Sequence, residues 1–534
     1  MRALVVAVLT VALMMPAASF AQNGLMGEET LESHFQAVRG RGALYVGPDG
    51  KVVRPPGPQH SADVAKRLLS LEAEAASLRR QGRVGEALQT VARAWALASG
   101  EELTPRRAYL GSLELRTDTV VSDPTRPLIG WLSQAYPAKR PDGMEFTIRA
   151  RLAEPQRAGL LEVKPGESVG EVEEIGPVPG DLIAQPQAIG LDASQASDGI
   201  HLFTVEVLDR GEPVHRLTRF VHIVHGLDTD RSEVMARLAA LQVREQTRLS
   251  VIYPFEAARY QNLGWEEPRS YDFTKLIAES KRLLDELEAG AEPLYRATGY
   301  HDRHYLFREA RMIMPYSIYV PTSYDPAQSH PLVVLLHGGF GSPSYMLPRY
   351  VPEPASSLGY IVVAPMGYSP IGGYGVDMGD TPEAERRARL SEADVLNVID
   401  RVSSEYSVEP DRVFILGHSM GGAGAWHLAL KYPERWAGIV PSACRPPGKD
   451  ELTKLRHLPI LAITGERDNP EVLLPLMREM AADMKEIGSA CHRYLEVADA
   501  GHASAGTVLP HLGTIFNFFE ECGRRQAPKK GGGT

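Results

Sequence analysis

The sequence predicts an α/β chain whose C-terminal part is a doubly wound, mostly parallel sheet, preceded by a helical hairpin region and a small β-sandwich. Three observations carry this. From Glu309 onward, nearly uninterrupted apolar strands alternate with amphipathic helical stretches, the pattern of a sheet buried on both faces. The stretch Arg412 to Pro433, RVFILGHSMGGAGAWHLALKYP, passes from a β-rich run to a helical period through Gly417-His418-Ser419-Met420-Gly421. The 534 residues also exceed what one core holds, so several domains are expected.

Taken in order, residues 1–21 read as a signal peptide: Arg2, an apolar run from Ala3 to Ala18, then Ser19-Phe20-Ala21, whose small residues suit signal peptidase. The apolar run is short for a bilayer span, so export to the periplasm or beyond is expected, without stable membrane insertion after removal. Residues 22–127 form an N-terminal helical region. Within it two helical patterns from His60 to Ser99 break at Gln81-Gly82-Arg83, resembling one tetratricopeptide-like hairpin. A single repeat cannot bury its own face, so the hairpin reads as a packing element rather than a peptide groove.

Residues 128–226 read as a β-sandwich module of immunoglobulin-like kind: MEFTIRARL, HLFTVEVLD and VHRLTRFVHIV are rich in β-formers, and Asp209-Arg210-Gly211-Glu212 is a hairpin turn. Residues 227–308 return to helical period as a connector, residues 309–525 are the catalytic domain, and the polar, Gly-rich 526–534 is a tail without order of its own.

Composition narrows the function classes. A net charge of -10 with no basic block excludes a nucleic-acid footprint. Three cysteines leave at least one unpaired, and no Cys/His spacing suggests a metal site, so neither metal nor cofactor is expected.

The chemistry concentrates around Ser419. A serine between Gly417 and Gly421 at a strand-to-helix turn is lifted out of the sheet, and the following helix points its first N–H groups back at it. A serine hydroxyl needs a base and a group that orients the base. PILAITG runs into Glu466-Arg467-Asp468 and RYLEVAD into Ala500-Gly501-His502, both at the carboxyl edge of the sheet, in the order Ser, Asp, His. Asp468 is preferred to Glu466 by its distance from the strand end. His502 is preferred to His492, which opens a strand, and to His511, inside a helical pattern. Upstream, PLVVLLHGGFGS brings Gly339 and Phe340 as alternative backbone donors, with Met420 as partner, to an oxyanion hole. His337 and His418 are expected to hold loops by hydrogen bonding. The loop Tyr368 to Thr381 carries Tyr368, Tyr374 and Asp377, which could grip an acyl group or a sugar, or could form surface only.

The stretch SEADVLNVIDRVSSEYSVEPDRVFILGHSMGGAGAWHLALKYPERWAGIVPSA closely resembles α/β-hydrolases of the polyhydroxybutyrate depolymerase-like and feruloyl esterase-like groups, also labelled predicted peptidases of the prolyl oligopeptidase superfamily. The resemblance covers roughly Pro315 to Glu521 and implies Ser419 as nucleophile, Asp468 and His502 as its partners, and Met420 with Gly339 or Phe340 as oxyanion hole. The acid loop here, ERDNPEV, lacks the Val-Pro that often follows the acid. The expectation is an exported serine esterase that acts on a small-molecule or polymer-linked ester. The alternatives are a serine peptidase of prolyl oligopeptidase type and a binding protein with a vestigial hydrolase domain.

Overall fold

The computed structural model describes residues 45–46, 52–53, 62–98, 102–157, 163–258, 272–339, 341–350, 353–376, 382–489 and 491–523. The expected signal peptide, the C-terminal tail, Phe340 and Asp377 lie outside these. The chain divides into two units, one built mainly from residues up to Ala239 and the other mainly from Arg282 onward.

In the first unit, helices Ala62–Arg80 and Val84–Ala98 pair through Leu68, Ala75, Ala87, Leu88, Val91 and Ala94, and Tyr136 closes the cluster. The hairpin thus spends its apolar stripe on packing. Two sheets follow. One has five strands in the order Val121–Ser122, Glu212–Ile223, Gly199–Asp209, Phe146–Arg157, Val163–Ile175, and the other joins Leu113–Thr117, Leu128–Gln134 and Gln187–Leu191. Phe146, Ile148, Phe203, Val205 and Leu217 of the larger sheet share one core with Leu115, Leu128, Leu132 and Ile189 of the smaller. The turn expected at 209–212 is a two-residue hairpin: Asp209 pairs with Glu212, and Arg210 and Gly211 take φ of 54° and 82°, the left-handed pair that matches strand twist. Two of these strands, Leu113–Thr117 and Val121–Ser122, lie in the stretch read as helical, because five and two residues give too short a window for an alternation signal.

The second unit holds an eight-stranded sheet: β1 (Gly299–Phe307), β2 (Met312–Val320), β3 (His330–Leu336), β4 (Ile361–Pro365), β5 (Val408–His418), β6 (Gly438–Ser442), β7 (Ile460–Gly465) and β8 (His492–Val497). Their spatial order is β1-β2-β4-β3-β5-β6-β7-β8. β2 runs antiparallel to β1 and β4, and every pairing from β4 to β8 is parallel. β1 falls inside the stretch expected to be a helical connector; its GYHDRHYLF begins polar because its first half is a partly exposed edge.

Helices α1 (Pro343–Tyr350), α2 (Pro382–Glu405), α3 (Met420–Lys431), α4 (Leu473–Glu486) and α5 (Leu512–Gly523) cover the sheet. Side chains alternate across it: Leu332, Val334, Leu336, Val363 and Ile415 enter one core with α2, α3 and α4, while Val333, Leu335, Val362, Phe414 and Leu416 enter another with α1 and α5. Cys491 and Cys522 form a disulfide between the start of β8 and the end of α5, and Cys444 is free and buried. Among the described residues no helix is long and apolar enough to cross a membrane, and no group of three His, Cys, Asp or Glu could hold a metal ion.

Candidate active site

β5 and α3 meet at Ser419, whose φ of 55° and ψ of −116° put it outside the ordinary regions for a side-chain-bearing residue. Close packing holds it there. A Cβ on Gly417 would stand 2.1 Å from the Gly421 carbonyl oxygen, and one on Gly421 would stand 2.0 Å from that of Leu336, so any side chain would force the turn off the end of β3. The Ser419 N–H donates to the Ser442 carbonyl at the end of β6, 2.8 Å away, which fastens the turn to the neighbouring strand.

The structure brings together all three side chains expected to act. Ser419 Oγ lies 2.8 Å from His502 Nε2, and His502 Nδ1 lies 3.0 Å from both oxygens of Asp468. Asp468 is nearly buried, with 7% of its side chain accessible, while 56% of the His502 side chain is open to solvent. The hydrogen bond that His502 donates to Asp468 raises the His502 pKa above its ordinary value, against the pull of partial burial.

Two loops make this meeting possible. Arg467 N–H donates to the Ala500 carbonyl and Glu466 N–H to that of Val497, so the turn after β7 and the turn after β8 are laced together. Glu466, the alternative acid, is occupied elsewhere: its carboxylate accepts the Asp499 N–H at 3.1 Å. The Cβ that Gly465 lacks would collide with the Ala500 carbonyl oxygen at 2.4 Å, so a glycine at the end of β7 is what lets the His502 loop cross over. His492 sits at the opposite, N-terminal end of β8, paired with Ile460, and His511 belongs to the short helical turn Leu509–His511.

On the oxyanion side, Met420 is the first residue of α3, where backbone N–H groups have no partner within the helix. Gly338 passes beside the nucleophile: a Cβ on it would stand 3.5 Å from Ser419 Cβ. Gly339 follows, with open space around its Cα. His337 is buried, its Nδ1 2.8 Å from the Gly338 carbonyl and its Nε2 2.8 Å from that of Met366. His418 is also buried, with its ring 5.4 Å from that of His502, and burial pushes it down to about 4, so it is neutral wherever His502 can act as a base.

Tyr374 is removed from any role in gripping substrate. It is fully buried, and its hydroxyl accepts the His337 N–H at 3.1 Å. Tyr368 is partly buried, and its hydroxyl accepts from Arg386 at 3.3 Å.

Sequence reasoning passed over Asp394. It is fully buried in α2 and accepts from the N–H groups of Gly367 at 2.6 Å and Tyr368 at 3.2 Å, and from the Tyr305 hydroxyl. Burial raises its pKa to about 6. The available signal was an acid between Leu390 and Val398 on the apolar stripe of α2, where a charge without a partner is costly.

Residues 311–447 match the family model described as Putative esterase. Among curated proteins, the chain is 29% identical over 154 residues to a bifunctional acetylxylan esterase/xylanase of Neocallimastix patriciarum, covering 28% of this chain and 21% of that one. It is 34% identical over 125 residues to an epoxide hydrolase B of Mycobacterium tuberculosis, covering 23% and 31%. The chain thus spans between a fifth and a third of the length of these relatives. An S-formylglutathione hydrolase structure from Agrobacterium tumefaciens aligns over 42% of this chain and 96% of its own at 19% identity, with a TM-score of 0.34. Residues 311–447 thus match the esterase family model, and the similarity of the chain to curated hydrolases, an acetylxylan esterase among them, is confined to part of its length.

Proposed function

We propose that the chain is an exported serine esterase that cleaves small-molecule or polymer-linked carboxylic esters through an acyl-enzyme. The observation that carries this is the continuous run of contacts from Ser419 Oγ through His502 to Asp468, at 2.8 and 3.0 Å. His502 Nε2 takes the Ser419 proton as Oγ attacks the carbonyl. Asp468 keeps the other ring proton on Nδ1 and stabilises the imidazolium that forms. The tetrahedral oxyanion is received by the Met420 N–H and by an N–H of the 337–340 loop. His502 then returns the proton to the departing alcohol. Water, deprotonated by the same nitrogen, releases the acid and restores Ser419.

Export is supported by the leader-like residues 1–21 and by the Cys491–Cys522 pairing, which belongs to an oxidising compartment. The test is Ser419→Ala: fluorophosphonate labelling should vanish and ester turnover fall by at least roughly a thousandfold with the fold intact. Labelling that persists on another serine defeats the reading. A matched ester and anilide pair then separates esterase from peptidase, with the ester preferred after allowance for intrinsic reactivity.

A further inference from the structure

Resting on that reading, we infer that His337 is a positioning residue that aims the Gly339 N–H at the oxyanion site by pinning the peptide between Gly338 and Gly339. A trans peptide is planar, with its C=O and N–H pointing in opposite directions. Whatever holds the Gly338 carbonyl therefore also sets the direction of the Gly339 N–H. Glycines on both sides of this bond leave the plane otherwise free to rotate.

Two donors hold that carbonyl. One is His337 Nδ1 at 2.8 Å, and the other is the Gly341 N–H at 3.0 Å. The ring is itself anchored on both of its sides. Its Nε2 faces the Met366 carbonyl at 2.8 Å, and the turn that carries Met366 is held by Asp394 through the Gly367 and Tyr368 N–H groups. The His337 backbone N–H is taken by Tyr374 Oη, and the Tyr374 N–H donates to Ser391 Oγ at 2.8 Å. A chain of contacts thus runs from α2, through the 366–374 loop, to the glycine beside Ser419.

The carbonyls of Gly338 and Met366 are both acceptors, and a neutral imidazole has one N–H to give. Burial, the larger influence, pulls the His337 pKa below the ordinary imidazole value, whereas Asp468 holds that of His502 above it, so His337 is neutral wherever His502 is a base. The proposed role needs that single proton on Nδ1, the nitrogen at the Gly338 carbonyl. A Cβ on Gly338 would stand 3.5 Å from that of Ser419, so this peptide runs alongside the nucleophile.

The two ring nitrogens have different amide mimics, and this gives the test. Asparagine places its nitrogen where Nδ1 lies and can hold Gly338. Glutamine reaches the position of Nε2 and can hold Met366 only. His337→Asn should therefore keep kcat within about tenfold of the parent. His337→Gln and His337→Ala should lose roughly a hundredfold in kcat at nearly constant KM, the scale of one misaimed oxyanion donor. Binding of a boronate or trifluoromethyl ketone should weaken in step with kcat, because such analogues meet the oxyanion hole as the transition state does.

If His337→Gln stays active while His337→Asn fails, the ring is a tether to Met366 and the inference is overturned. A loss carried by KM, or an unchanged analogue affinity, overturns it equally. Should His337→Ala not fold, the Asn and Gln pair still decides. Ester turnover surviving in Ser419→Ala would remove the underlying reading, whereas turnover lost there but equal in the parent, Asn and Gln forms would remove only the role of His337.

Discussion

Replacing Asp468 by asparagine changes charge with almost no change of shape, and the structure says what should follow. Both carboxylate oxygens lie 3.0 Å from His502 Nδ1 in a nearly closed setting, so the residue serves as acceptor for one proton and as countercharge for the ring. The amide offers one oxygen and one NH₂ group. If the NH₂ group faces Nδ1, the ring proton moves to Nε2, the nitrogen that must accept from Ser419 Oγ at 2.8 Å, and the base is gone. If the oxygen faces Nδ1, the tautomer survives but the imidazolium of the transition state has lost its counterion.

Either way kcat should fall by about 10⁴ with substrate binding little altered, a loss near 5.4 kcal/mol at about 1.36 kcal/mol per decade. The pH profile has a definite sign. Asp468 raises the His502 pKa, so the acid limb of kcat/KM lies above the ordinary imidazole value in the parent and should move to lower pH in Asp468→Asn. Stopped-flow or steady-state hydrolysis of a nitrophenyl ester across that range measures both effects. Glu466→Gln, whose amide oxygen can still accept the Asp499 N–H, should change turnover by less than about tenfold. An Asp468→Asn loss below tenfold, an unmoved acid limb, or a greater loss in Glu466→Gln would refute the assignment.

Gly421→Ala places a Cβ 2.0 Å from the Leu336 carbonyl oxygen, so the nucleophile turn must shift. Turnover and fluorophosphonate labelling should both drop by more than roughly a hundredfold, the cost of misplacing a reacting group by about 1 Å. Glu405→Gln leaves Arg303, whose side chain is fully buried, without the carboxylate 2.9 Å away. Breaking such a pair costs about 3–5 kcal/mol and should lower the unfolding midpoint by roughly 10 °C, with kcat unchanged in the folded protein. An unaltered melting curve would show that the Leu294 carbonyl and Tyr406 hydroxyl, which Arg303 also contacts, carry the guanidinium alone.

The eight-stranded sheet was legible because its signals are local. Runs such as PLVVLLHGG and RVFILG are apolar on both faces, as strands covered by helices on each side must be. The Ser419 turn announced itself through two glycines spaced for close approach, and the chain order of Ser419, Asp468 and His502 follows from strands that run parallel and open their loops on one edge. β1 escaped notice since half of it is exposed edge. The strands Leu113–Thr117 and Val121–Ser122 were too short to show a period.

What the sequence by itself determined, then, is the set of candidate groups and the strand ends that present them: a serine at a tight turn between glycines, an acid and a histidine at later strand ends, and a glycine-rich loop upstream. Tertiary structure decided the rest. It set Asp468 against His502 and Glu466 on the Asp499 N–H by lacing two loops together, and it buried Tyr374 where the sequence allowed a surface role. It set Asp394 beneath the 366–368 turn and paired Cys491 with Cys522, leaving Cys444 apart. The reason is common to all four. Local backbone preference acts over a few residues, but which buried polar group meets which donor depends on segments tens of residues apart closing on one another, and only the packed chain brings those into hydrogen-bonding distance.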